Sequence, residues 1–330
     1  MNPQGPPPSS PLEDNHIHAQ PPDLPLSVSF QEEISPKILV KQSRWVAWFQ
    51  TNSLFILNFL VPLGWCFLFV SIMNRDSFIS TLYMPFLGIF AATLANTVPI
   101  GGGIVYVPAL LLLGVDMKLG VSFTVATMSF GNGIFGFLRW LNKDPELFIW
   151  ESFWYTVIPS WIGSILGIFF LPELSTEYVK ILFASVCVKV SIVVALAAWR
   201  GGIDKLNIIP ASCGFTPSST PLNITSATPL SSACISTLVI ITFLGGIFLV
   251  PNIGIGPALT TYLILNYFGY STHSSVVTGI VTGGWVCVVP FLVHIFYLQD
   301  VPYSLWLMVI PGVYLGAMVC HSFTPPTVTS

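Results

Sequence analysis

The residues of this sequence best suited to chemistry are two glycine-rich interruptions of apolar segments. Val98-Pro99-Ile100-Gly101-Gly102-Gly103 precedes the apolar run from Ile104 to Leu113, and Val250-Pro251-Asn252-Ile253-Gly254-Ile255-Gly256 precedes Pro257 and a second such run. Glycines at the start of a short helix leave backbone N–H groups free of helical partners. With the positive end of the helix dipole, those groups make a place for an anion. Pro257 suits a first helical turn, where its missing N–H costs nothing. Neither break is a nucleotide loop: the first lacks a Gly-Lys-Ser/Thr ending, and the second has Leu259 where a dinucleotide fingerprint needs its third glycine. The competing reading is that the glycines only let two backbones pack closely.

Polar side chains cluster on the span after each break: Ser122, Thr124, Thr127, Ser129 and Asn132 on the first, His273, Ser274, Ser275, Thr278 and Thr282 on the second. Such groups can donate to oxyanion oxygens without adding a fixed charge, and they can equally serve hydrogen bonds between helices. Lys189 sits mid-way along an apolar run, where a charge costs about 2.5 to 3.5 kcal/mol on insertion scales. Attracting an anion, pairing with an acid and snorkelling each fit it. Arg139, Lys143 and His294, near span ends, read as interfacial anchors. The candidate binding set is therefore Gly101, Gly102, Gly103, Gly254, Gly256, Thr127, Ser129, Asn132, Thr278 and Lys189. No nucleophile-elbow or metal-ligand spacing appears, so neither enzyme chemistry, a metal nor a cofactor is expected. His16 and His18 read as solvated tail residues. The six cysteines are scattered without a CxxC and read as inert thiols, with a sulfur-relay role for Cys187 or Cys287 as the alternative.

The elements that must position these residues repeat. Pro99 and Pro251 stand 152 residues apart (251 − 99), and so do Pro159 and Pro311 (311 − 159), within the matching stretches Ser152 to Pro159 and Ser304 to Pro311. Paired Gly/Pro-interrupted apolar segments in two halves of a chain point to a transporter's binding site. With 53% hydrophobic and 8% charged residues and a mean hydropathy of +0.79, the chain has too little polar surface for a soluble protein. It reads as a multi-pass integral membrane protein of the plasma membrane or an endomembrane. No Lys or Arg follows Lys205, which argues against nucleic acid as a partner. The lipid bilayer and a small anion are the expected partners, with homo-oligomerisation left open.

Six apolar stretches, 54–73, 119–139, 150–171, 178–199, 272–297 and 303–322, approach the roughly 20 residues needed to cross hydrocarbon. Four shorter ones pair as 82–97 with 104–115 and 234–250 with 257–268. At 1.5 Å per residue the second of each pair reaches only about 18 Å, which predicts re-entrant hairpins whose breaks face the bundle interior. Counting sides places seven Lys/Arg on one face and three on the other, so the amino terminus is expected in the cytoplasm and the two copies are expected to be inverted. The predicted organisation is a disordered Pro-rich cytoplasmic tail over 1–44, a first transmembrane helix within 45–79, repeat 1 over 80–200, a cytoplasmic loop over 201–231, repeat 2 over 232–323 and a short tail over 324–330. The fold class is all-α, with the second repeat lacking a counterpart of Val179 to Trp199. Gly163-x-x-x-Gly167, Ser160-x-x-x-Ser164 and Gly312-x-x-x-Gly316 predict close helix approaches.

With the Pro-x-Gly-Gly-Gly stretch from Pro99 to Pro108, its degenerate second copy from Pro251 to Pro257, and the Pro159 and Pro311 spans, the chain resembles the sulfite exporter TauE/SafE family of membrane permeases over about residues 82–321. The resemblance implies transport of sulfite or another small sulfur-containing or organic anion by alternating access, bound between the repeats at Gly101, Gly102 and Gly103 and at Gly254 and Gly256. Thr127 and Ser129 match its Thr/Ser-rich stretch loosely, with Met128 between them. The rival reading from another class is a membrane interaction scaffold that keeps the permease fold without transporting.

Overall fold

A computed structural model of the chain describes Trp48, Asn52, Ser53 and residues 55–171, 175–199 and 229–323; some side chains of 175–199 and 320–323, that of Lys189 included, lie outside the described residues. The expected tails, 1–44 and 324–330, and most of the 201–231 loop also lie outside them.

Every regular element among the described residues is helical. The first half contains α1 (Ile56–Ile72), α2 (Arg75–Ser80), α3 (Met84–Thr97), α4 (Gly103–Leu112), α5 (Met117–Lys143), α6 (Trp150–Phe170) and α7 (Thr176–Trp199). After it come α8 (Ser232–Phe248), α9 (Val250–Ile253), α10 (Ala258–Tyr267), α11 (Thr272–Leu298) and α12 (Tyr303–Phe323). Among the described residues α5, α6 and α11 are long and apolar enough to cross a membrane. At 1.5 Å per residue, the 27 residues of α5 or α11 reach about 40 Å, past a hydrocarbon core of about 30 Å.

The sequence repeat is a repeat of local structure. Helices α4 and α10 are each 10 residues long, α5 and α11 each 27, α6 and α12 each 21. The four glycines with positive φ pair off as well: Gly101 (84°) with Gly254 (65°) ahead of the short helices, and Gly114 (77°) with Gly269 (88°) behind them. A side chain is strained in that conformation and glycine is not. Behind each short helix the chain closes alike, Gly114 N–H to Leu111 C=O and Val115 N–H to Leu110 C=O in one copy, Gly269 to Asn266 and Tyr270 to Leu265 in the other. The long helices then start on side-chain caps, Asp116 accepting from the Lys118 N–H and Ser271 from the Ser274 N–H.

Packing between the copies is reciprocal. The opening helix of each copy lies along the 21-residue helix of the other, α3 on α12 and α8 on α6. Glycines make both approaches possible: Gly312 and Gly316 face the carbonyls of Pro85 and Ile89 on α3, while Gly163 and Gly167 face those of Phe243 and Ile247 on α8. The small-residue motifs are therefore spent inside the chain. Helices α5 and α11 pack against each other antiparallel. Ser122 near the start of α5 donates to the Asp300 carbonyl just past the end of α11 (2.9 Å). At the opposite end, Thr278 near the start of α11 accepts from the Ile149 N–H just past α5 (3.1 Å). Between these ends the two backbones touch at Gly133 and Gly284.

Candidate functional site

The two glycine breaks meet. A Cβ on Gly103 would stand 3.1 Å from the Gly254 carbonyl oxygen, 2.9 Å from Ile255 Cγ1 and 3.1 Å from Thr124 Cγ2. One on Gly254 would stand 3.1 Å from Thr124 Cβ and 3.2 Å from the Val121 carbonyl oxygen. Thr124 of α5 thus wedges between the breaks. Gly256 lies against α11, where a Cβ would approach the Gly283 carbonyl to 2.6 Å; across the site a Cβ on Gly279 would lie 3.5 Å from Pro99 Cβ of the first break. Helix α7 closes one side, its Val179, Leu182, Phe183 and Val186 packing with Val107 of α4 and with Ile253 and Ile255.

All five predicted glycines therefore converge. A Cβ on Gly101 would reach Met128 Cε at 3.3 Å, and the Gly102 N–H donates to Met128 Sδ (2.8 Å). A thioether is a weak acceptor, so a stronger one displaces it at little cost.

The predicted polar side chains behave differently. Thr127 and Ser129 flank Met128 and are buried, yet each hydroxyl donates to its own helix, to the Phe123 carbonyl and the Val125 carbonyl (both 2.8 Å). Thr124 and Thr282 do the same toward Gly120 (2.7 Å) and Thr278 (2.8 Å). A hydroxyl has one proton, so in this conformation these residues offer only lone pairs, which an anion does not want. The expectation that they donate to an oxyanion gives way to back-bonding within the helix. Asn132 reaches from α5 to the Ala95 carbonyl (3.4 Å), holding α5 to the end of α3. Thr278 accepts from the Ile149 N–H. Lys189 lies on α7, its side chain outside the described residues. His294, read from sequence as an interfacial anchor, is instead buried and bonded to Asp300 (2.7 Å).

Sequence reasoning missed two hydroxyls. Tyr106 is the fourth residue of α4 and Thr261 the fourth of α10; both are buried, and the oxygen of each has no hydrogen-bond partner among the described residues. Helical side chains lean toward the N-terminus. Accordingly, a Cβ on Gly102 would stand 2.9 Å from Tyr106 Cε2, so the phenol lies back over the first break, its ring edge-on to Phe123. Burying a hydroxyl without a partner costs roughly 1 to 3 kcal/mol, and these two stand at matched positions behind the two breaks. The signal available in sequence was positional: Tyr106 follows Gly102 by four residues as Thr261 follows Pro257.

A family model described as sulfite exporter TauE/SafE matches residues 84–327. The chain belongs to the sulfite exporter TauE/SafE family. No curated protein and no solved structure matches it. The matched stretch opens at α3 and takes in both glycine breaks and both long helices. Membership makes the chain an integral membrane protein of a family whose activity is membrane transport of an anion.

Proposed function

We propose that this TauE/SafE protein carries sulfite, or a related small sulfur oxoanion, across its membrane by alternating access between two inverted repeats, with the anion bound where the glycine breaks meet. The observation that carries the reading is the pair of orphaned hydroxyls, Tyr106 and Thr261, set at the same place behind each break. Both are neutral donors, and with the N-termini of α4 and α10 they supply dipoles rather than full charges. Inversion is supported by the antiparallel packing of α5 and α11: if both cross, equivalent ends of the copies face opposite sides. The seven-to-three distribution of Lys and Arg then favours a cytoplasmic amino terminus. The polar residues Thr127, Ser129 and Asn132 support the site by fixing α5, while Thr278 fixes the α5–α6 turn. Lys189 remains a candidate for drawing the anion inward along α7.

Labelled sulfite uptake tests this directly. Proteoliposomes holding the purified chain should exchange internal unlabelled sulfite for external label, well above vesicles without protein. Equal rates in the two preparations would refute transport and leave the scaffold reading standing.

A further inference from the structure

His294, buried, and Asp300, part-buried, form an ionisable pair at the end of α11, joined Nδ1 to Oδ1 at 2.7 Å. Each partner is only half satisfied: His294 Nε2 and Asp300 Oδ2 are both buried without a hydrogen-bond partner among the described residues. A pair kept for stability alone would have its outer atoms satisfied, because each orphan in a low dielectric is costly. The backbone here is also irregular. His294–Leu298 is a π-helical turn, and Gln299 after it (φ 54°) is the one non-glycine residue with positive φ among those described. Irregular helix turns and strained residues gather at working sites. The pair closes the end of a helix long and apolar enough to cross a membrane, and ionisable residues on such helices mark ion and proton paths.

We propose that the His294–Asp300 pair is a proton-binding site that couples proton movement to anion movement in the same direction. With a neutral imidazole and an ionised carboxylate, the pair holds one proton between Nδ1 and Oδ1 and carries a net negative charge. A second proton, taken from water, adds to the Nε2 lone pair; no other bond breaks, and the pair becomes neutral overall. Removing a part-buried negative charge favours an anion nearby, and linkage requires the anion to favour the proton in return. The connection to the breaks is short. Asp300 accepts through its carbonyl from Ser122, two residues before the Thr124 wedge on the same helix. Other titratable groups on the surrounding elements are Tyr297 on the same turn, with its ring against Phe169 of α6, Asp116 and Lys118 at the start of α5, and Tyr303 at the start of α12.

This inference rests on the transport reading, and one pair of assays separates the two. Exchange of labelled sulfite or methanesulfonate at equal pH on both sides reports transport alone. Accumulation of whichever anion exchanges, driven by an acidic exterior, reports coupling; comparison with a variant cancels any titration of the anion itself. One proton per anion supports about tenfold accumulation per pH unit. Wild type should approach that ratio, and His294→Gln and Asp300→Asn should equilibrate near unity while still exchanging. Having two variants guards against one that fails to fold, since surviving exchange reports folding. Loss of wild-type exchange of both anions sinks the transport reading and this inference together. Wild-type exchange without gradient-driven accumulation, or accumulation by either variant equal to wild type, overturns the coupling alone.

Discussion

Tyr106→Phe should weaken sulfite binding about tenfold to a hundredfold while leaving the protein at least as stable as before. A hydrogen bond to a charged partner contributes about 1.5 to 3 kcal/mol, and each 1.4 kcal/mol is about tenfold in affinity. The Tyr106 hydroxyl has no partner among the described residues, so deleting it removes a desolvation cost and strands nothing. The ring keeps its edge contact with Phe123 at 5.4 Å. A residue with a purely structural hydroxyl would behave in the opposite way, losing stability and leaving affinity alone. Thr261→Val tests the matched position with little change in volume. Titration of the purified variants with sulfite, beside their thermal unfolding, separates the outcomes. Unchanged affinity in both would remove the orphaned hydroxyls from the site.

The second large effect concerns the crossing of the long helices. Gly284→Val should abolish recovery of folded protein, because a Cβ there would overlap the Gly133 nitrogen and the Asn132 carbonyl carbon, both backbone atoms. No rotamer change relieves a clash between backbones, so α5 and α11 would have to separate, and with them the breaks they hold. Overpacking a well-filled core usually costs about 1 to 3 kcal/mol, and backbone against backbone lies at the upper end or beyond. Gly120→Ala is the matched control on α5 itself, since nothing lies within 4 Å of a Cβ at Gly120. The monodisperse fraction in detergent should collapse for the first variant and match wild type for the second.

The parts of this architecture legible in sequence are those that depend on runs and spacings. The span expected over 119–139 is the middle of α5, and the short runs 104–115 and 257–268 become α4 and α10, because apolar length and flanking glycine or proline decide where a helix begins and ends. That both breaks face inward was legible from the two short runs, since irregular backbone at membrane depth needs protein around it. What escaped depends on the direction of single protons. Thr127 and Ser129 looked like donors by composition, yet a helical hydroxyl has the carbonyl four residues back within reach. Tyr106 lies unremarked within the apolar run from Ile104 to Leu113, and only the packing sets its oxygen apart, without a partner among the described residues. His294 lies near a span end in sequence, where anchors usually sit, and only the turn through Gln299 brings Asp300 back onto it. The Gly133 and Gly284 contact was hidden for a similar reason: each glycine stands among others, at Gly131 and Gly283, and sequence does not say which one the neighbouring backbone meets.

The central claim, an anion held where the two breaks converge, is tested most directly by crystals of the protein grown with selenite, the heavier congener of sulfite, and its anomalous scattering. The account predicts one strong peak beside Gly101, Gly102 and Gly254, placed so that a selenite oxygen accepts from the Tyr106 hydroxyl. Selenium bound only elsewhere, with the Tyr106 and Thr261 hydroxyls still unpartnered, would contradict it.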